Sequence, residues 1–262
     1  MSHIITVQPQ PIQSKSKQFW VHQVPAAKDN LVWLIEYEEG KVAAVDGPSA
    51  KEVFSYCRAN GLELTTILNT HTHWDHVGIN NDLKRQGKIN DIRVFGSHKM
   101  AADVPGLTDP LNDGDILQLG KLQGQVWLTE GHIDGHLSFI FDEFVFCGDT
   151  MFAAGCGYLF SGPPEKMHNS LQRLAALDPD TFVCCAHEYT EDNILFALSI
   201  EPDNQALQAR DVSVKERRGR GESTLPSTIG LERETNPFLR VASWQEFAHR
   251  REEKNKGRYK NN

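Results

Sequence analysis

The amino-acid sequence predicts a mixed α/β protein (α+β in its sequence order) that ends in a helical segment. Three observations predict it. Between residues 31 and 95, short apolar β-type runs alternate with helix-type stretches; between 125 and 146, three β-type runs follow one another closely; after residue 187 the texture turns polar and helical. With 262 residues, 39% hydrophobic and 24% charged, the chain holds enough apolar material for one large domain or two modest ones. No stretch approaches the roughly 20 apolar residues of a membrane span. A net charge of −8 repels phosphate backbones, so neither a membrane nor nucleic acid is an expected partner.

Taken in order, residues 1–17 have neither the apolar core of a signal peptide nor an arginine, and are expected to form a loose extension. Leu31–Ile35 and Lys41–Val45 read as strands joined by a turn at Glu38-Glu39-Gly40. Ser49 and Glu52 have capping-box spacing, Val53, Phe54 and Cys57 supply an apolar stripe, and Gly61 marks the end of a helix. Thr65–Asn69 completes a βαβ-like unit, and Ile92–Phe95 is a further strand. Gln125–Leu128, Leu137–Phe141 and Phe144–Phe146 are the closely spaced strands. A helix from about Met167 to Leu177 leads to a last strand, Thr181–Cys185. Residues 191–219 read as helical and the remainder as polar with scattered turns. The texture change places a boundary near 187–190, dividing the chain into a body over 18–188 and a helical part over 189–262. Residues 207–262 hold 13 basic against 8 acidic side chains, a cationic end on an acidic body.

The five cysteines are odd in number and contain no CxxC pair, and Cys147, Cys184 and Cys185 sit in apolar runs. They read as reduced core thiols, which implies a cytosolic protein.

The chemistry concentrates in His71-Thr72-His73-Trp74-Asp75-His76, directly after a strand. His71 and His73, two apart in extended chain, point to one side, and Asp75 and His76 fall in the turn beyond. Imidazole and carboxylate together suit Zn²⁺ and related divalent ions. Strand ends supply further candidates: His132 and His136 after Val126–Leu128, Asp149 after Phe144–Phe146, and His187 after Phe182–Cys185. One pattern repeated four times argues for a shared site at one sheet edge. His3, His22, His98, His168 and His249 lack such context and receive no role.

These motifs (THTHWDH, GHIDGH, GDT and HEYT) resemble the metallo-β-lactamase superfamily and, more narrowly, glyoxalase II, the hydroxyacylglutathione hydrolases. FCGDTMFAAGCG, CCAHEYTEDNILFALSIEP and TLPSTIGLERETNPFLR carry the narrower likeness, which runs from about Asp29 to Lys254. The resemblance implies a four-layer αββα sandwich followed by a smaller helical C-terminal domain. It implies one metal held by His71, His73 and His132 and a second held by Asp75, His76 and His187, with Asp149 bridging. His136 would orient a ligand. Two divalent ions, zinc with iron or manganese as alternatives, would hold a bridging hydroxide between them, with Asp75 and Asp149 as the catalytic carboxylates. The implied reaction is hydrolysis of S-lactoylglutathione to glutathione and D-lactate, the second step of methylglyoxal detoxification, by a monomeric cytoplasmic enzyme. Tyr189, Arg251 and Lys254 would bind the glycine end of glutathione, with Arg250 an alternative in register to Arg251. Tyr158, also assigned to the substrate, stands where the family often has a basic residue, and Phe160 where some members have Tyr. Glu130 replaces a usual Pro, and Thr72 a frequent His. A single-iron persulfide dioxygenase of the same superfamily, a hydrolase for another acyl-thiol and a non-catalytic metal-binding or partner-binding module are the competing readings.

Overall fold

The computed structural model describes residues 3–261. Its elements in chain order are β1 (Ile12–Gln13), β2 (Trp20–Ala26), β3 (Asn30–Glu38), β4 (Lys41–Val45), α1 (Ala50–Asn60), β5 (Glu63–Leu68), α2 (Gly78–Arg85), β6 (Arg93–Ser97) and β7 (Asp109–Leu111). There follow β8 (Ile116–Leu119), β9 (Leu122–Leu128), β10 (Leu137–Phe141), β11 (Phe144–Gly148), β12 (Met151–Phe152), β13 (Gly155–Cys156), α3 (Pro164–Ala175) and β14 (Phe182–Cys185). The last part holds α4 (Thr190–Ile200), α5 (Gln205–Gly219), β15 (Ser227–Thr228), α6 (Ile229–Thr235) and α7 (Trp244–Lys256).

β1 to β7 form one sheet in sequence order; the second sheet runs β15-β14-β11-β10-β9-β8. Alternation along the first sheet explains the layering. Leu31, Trp33 and Ile35 of β3 face the second sheet, where they meet Phe139, Phe141, Phe144 and Phe146. Val32 and Leu34 face the other way, onto Val53 and Cys57 of α1 and Ile79 and Leu83 of α2. Met167, Leu171 and Leu174 of α3 close the opposite side of the second sheet. Helix, sheet, sheet, helix is the four-layer arrangement expected.

The expected cap of α1 is present: Ser49 accepts from Lys51 N–H and also bonds the Glu52 carboxylate, and Gly61 ends the helix in the left-handed region. The helical stretch 191–219 is two helices, because Pro202 lies in the break between α4 and α5. The remainder, expected to be turns, contains β15, α6 and α7. Helix α7 was hidden because only Phe247 and Arg251 of its residues are buried, too few to make a stripe.

The expected loose extension is also corrected for the part described, residues 3–17. Ile12 and Gln13 pair with β2, and the Thr6 and Val7 N–H groups donate to the Gly221 carbonyl at 2.9 and 3.1 Å. Met1 and Ser2 of that extension lie outside the described residues. All five cysteines are free and buried, as expected of core thiols.

Candidate metal centre

Strand ends build the centre. β5 stops at Leu68, and His71, His73, Asp75 and His76 follow before α2; β9 delivers His132, β11 delivers Asp149 and β14 delivers His187. Gly148 makes the last turn of β11 possible. It has φ +47°, and a Cβ there would stand 2.4 Å from Thr70 Oγ1. Gly157 is equally constrained, since its Cβ would lie 2.1 Å from the Asp149 carbonyl.

The seven expected donors converge as two groups: His71, His73, His132 and Asp149, and then Asp75, His76 and His187. His73 Nδ1 lies 3.0 Å from both His71 Nε2 and His132 Nε2. Asp149 divides its carboxylate. Oδ2 is 3.5 Å from His132 Nε2, while Oδ1 is 3.5 Å from His76 Nε2 and 3.4 Å from His187 Nε2. Asp75 Oδ2 stands 3.7 and 3.4 Å from the same two nitrogens. A tetrahedral ion with bonds of about 2.0–2.1 Å spaces its donors about 3.3 Å apart, so these separations suit two neighbouring ions. Among the described residues, His76 Nε2 and Asp149 Oδ1 are buried with no hydrogen-bond partner. Buried polar atoms without partners are costly unless a ligand satisfies them, and the donor chemistry here is that of a divalent metal.

The surrounding residues fix which nitrogen is free. His76 Nδ1–H donates to Asp46 at 2.9 Å, His187 Nδ1–H to Asp29 at 2.8 Å, and His132 Nδ1–H to the Tyr158 carbonyl at 2.7 Å. His71 Nδ1–H donates to Thr70 Oγ1 at 3.0 Å, and that hydroxyl donates to Asp46 at 2.6 Å. Each bond leaves Nε2 as the free lone pair. Asn30 holds Asp75 Oδ2 at 3.0 Å. His136 is fully buried beside His71; its Nε2 accepts the Asp149 backbone N–H at 3.2 Å, so it fixes the loop that carries the Asp149 carboxylate.

Titration follows burial and charge. Burial drives His71 and His136 well below the ordinary imidazole range and lowers His132 to about 4. Burial opposes charge on His76 too, but the Asp149, Asp46 and Asp75 carboxylates outweigh it and raise His76 to about 9. Without metal, His76 therefore carries a proton at neutral pH.

A cavity of about 310 Å³ adjoins the centre, lined by Tyr158, Tyr189, Asn193, Arg251 and Lys254 among others. The Tyr189 ring stacks on His187 with centroids 4.8 Å apart, and its hydroxyl donates to Asp29. Arg251 is buried and donates to the Cys156 carbonyl and to Asn255. Lys254 bonds Asn193. Among the described residues neither cation has a carboxylate within ion-pair distance. Arg250, the alternative in register, turns away to Glu201 and Glu246, so Arg251 is the arginine at the cavity. Tyr158 contributes its backbone to His132 and an exposed ring packed on Phe160. His3, given no role from the sequence, lines the same cavity.

Sequence reasoning missed Asp46, Asp29, Asn30 and Thr70. Asp46 carried a usable signal: it directly follows β4, as Asp149 follows β11, and it adopts the unusual φ of 57°.

Two facing sheets with His and Asp donors gathered at their strand ends define a metallo-β-lactamase-type protein, and the family model described as the metallo-beta-lactamase superfamily matches residues 30–187. The model of the hydroxyacylglutathione hydrolase C-terminus matches residues 188–257. A hydroxyacylglutathione hydrolase of Aliivibrio salmonicida is 44% identical over 222 residues, covering 85% of this chain and 86% of that one. One of a Synechococcus strain is 43% identical over 234 residues, covering 86% and 89%. ETHE1 from Myxococcus xanthus, 22% identical with a TM-score of 0.64 over 95% of this chain and 92% of that one, shares the fold. The chain belongs to the hydroxyacylglutathione hydrolase family of the metallo-β-lactamase superfamily.

Proposed function

We propose that this chain hydrolyses S-2-hydroxyacylglutathione thioesters, S-lactoylglutathione in particular, to glutathione and the 2-hydroxy acid, serving methylglyoxal detoxification in a reducing, cytoplasmic compartment. The observation that carries this reading is the seven-donor centre opening on a cavity where two cations, Arg251 and Lys254, have no carboxylate within ion-pair distance among the described residues. The five free thiols support the reducing compartment.

His71, His73 and His132 would hold one divalent ion and Asp75, His76 and His187 the other, with Asp149 shared; zinc suits this donor set best. Bound there, two such ions supply an activated water at neutral pH and stabilise negative charge on the acyl oxygen. The protein's own groups do the rest. Asp46, Asp29 and the Tyr158 carbonyl hold three imidazoles in the ligating tautomer. Arg251, Lys254 and Tyr189 bind and orient the glycine carboxylate, which sets the thioester beside Asp149. Asp75 stays ionised: burial raises its pKa, but His76, Asn30 and His187 lower it further. The thiolate leaves without a general acid, because a thiol of pKa near 8.5 is a good leaving group.

The single-iron dioxygenase reading leaves Asp75, His76 and His187 without work, and the orphaned His76 Nε2 argues against it. Thiol release from S-lactoylglutathione, set against oxygen uptake with glutathione persulfide, separates the two. Asp149→Ala and His187→Ala each abolish thioester turnover and lower bound metal; full turnover in either variant refutes the ligand assignment.

A further inference from the structure

Residues 3–13 precede the stretch matched by either family model, and they form a strap anchored at both ends. Ile12 pairs with Val21 of β2, and Gln8 Nε2 donates to the Gln23 carbonyl at 2.6 Å. Further along, Thr6 and Val7 are held by Gly221, and Arg218 donates to the Ile4 carbonyl at 2.8 Å. The strap so joins the first sheet to the end of α5, and its tip delivers His3 to the peptide cavity. His3 Nδ1 lies 2.9 Å from the Glu188 carbonyl. A carbonyl only accepts, so Nδ1 carries the proton. The ring stands edge-on to Tyr189, centroids 5.6 Å apart, and lines the cavity with Arg251 and Lys254. Nε2 makes no hydrogen bond among the described residues.

We propose that His3 is a further substrate-binding residue, whose Nε2 accepts an N–H of the peptide part of the thiol while Arg251 and Lys254 take its carboxylate. With Nδ1–H given to the Glu188 carbonyl, the neutral imidazole presents Nε2 to the cavity as an acceptor. The proposal rests on the reading of the cavity as the glutathione site.

The test uses metal-replete full-length protein and two thioesters: S-lactoylglutathione and the lactoyl thioester of 2-mercaptoethanol, which has no N–H. His3→Ala raises KM for the first about three- to tenfold, the range of one net hydrogen bond, and leaves kcat and the second substrate unchanged. His3→Gln, which keeps an acceptor, recovers part of the loss. An unchanged KM, or an equal rise for both thioesters, overturns the proposal. If the wild type turns over neither, the hydrolase reading fails, and calorimetry with glutathione then decides the role of His3: weaker binding by His3→Ala supports it, and equal or absent binding overturns it.

Discussion

Asp46→Asn tests the tautomer logic of the centre with a near-isosteric change. Asp46 Oδ1 accepts the Thr70 N–H at 2.8 Å, and Oδ2 accepts from Thr70 Oγ1 at 2.6 Å and from His76 Nδ1 at 2.9 Å. Asparagine keeps the first acceptor and turns the second oxygen into an NH₂ donor. Two donors then meet at His76 Nδ1 unless the imidazole moves its proton to Nε2, the atom that faces Asp75 and Asp149 at 3.7 and 3.5 Å. A protonated Nε2 cannot ligate. Loss of a partner of this kind weakens metal binding 10- to 100-fold, or about 1.4–2.8 kcal/mol. Thr70 relays a smaller disturbance to His71. Metal content and affinity, measured by emission spectroscopy at buffered free zinc, should fall from two ions towards one, the Asp75/His76/His187 ion leaving first. Two ions held at wild-type affinity by a folded variant would refute the reasoning.

Four further outcomes follow from the structure. Arg251→Ala raises KM for S-lactoylglutathione about tenfold or more while a peptide-free thioester is unaffected; in the wild type KM also climbs above about pH 7, because burial and the neighbouring Arg251 lower Lys254 to about 7, and a log KM profile flat from pH 6 to 9 contradicts this. Metal-free protein loses stability on acidification: His71, His132 and His136 are held below the unfolded value near 6.5, so their contribution is present above that pH and is lost as pH falls towards the 4 of His132, whereas the raised His76 contributes fully below 6.5 and loses its share as pH rises through 9; denaturant titrations between pH 4 and 9 read both limbs, and a midpoint unchanged from pH 7 to 4 would contradict the first. Arg210→Met strands the Glu232 carboxylate, which Arg210 meets at 2.6 Å with both side chains buried, and costs about 3–5 kcal/mol in urea unfolding, much of it restored by adding Glu232→Gln; a loss under about 1 kcal/mol would show that the charge finds another partner.

Most of the sandwich was legible because its strands are continuous apolar runs. Strand β2 was not, since His22, Gln23 and Pro25 interrupt its pattern, and the side chains of His22 and Gln23 find partners elsewhere in the chain, in Tyr56, Glu36 and the Leu225 carbonyl. Helix α7 shows almost no stripe, because Phe247 and Arg251 alone among its residues are buried. The seven donors were legible from position: each follows a strand. Asp46 obeys the same rule, whereas Asp29 precedes β3 and is linked to His187 across 158 residues, a pairing no local pattern announces. Tyr158 acts on His132 through its carbonyl, a group every residue owns, so side-chain chemistry could not mark it.

The small strand β15 has a consequence out of proportion to its two residues. It pairs Ser227 and Thr228 with Val183 and Phe182, along the outer edge of the strand that ends just before His187. An open edge there would be a template for another molecule's backbone, the usual route to aggregation. The segment that brings Arg251 and Lys254 to the cavity is thus also the hem of the sheet, and a fragment cut between the two family regions would lose that lining and bare the sheet edge in one stroke.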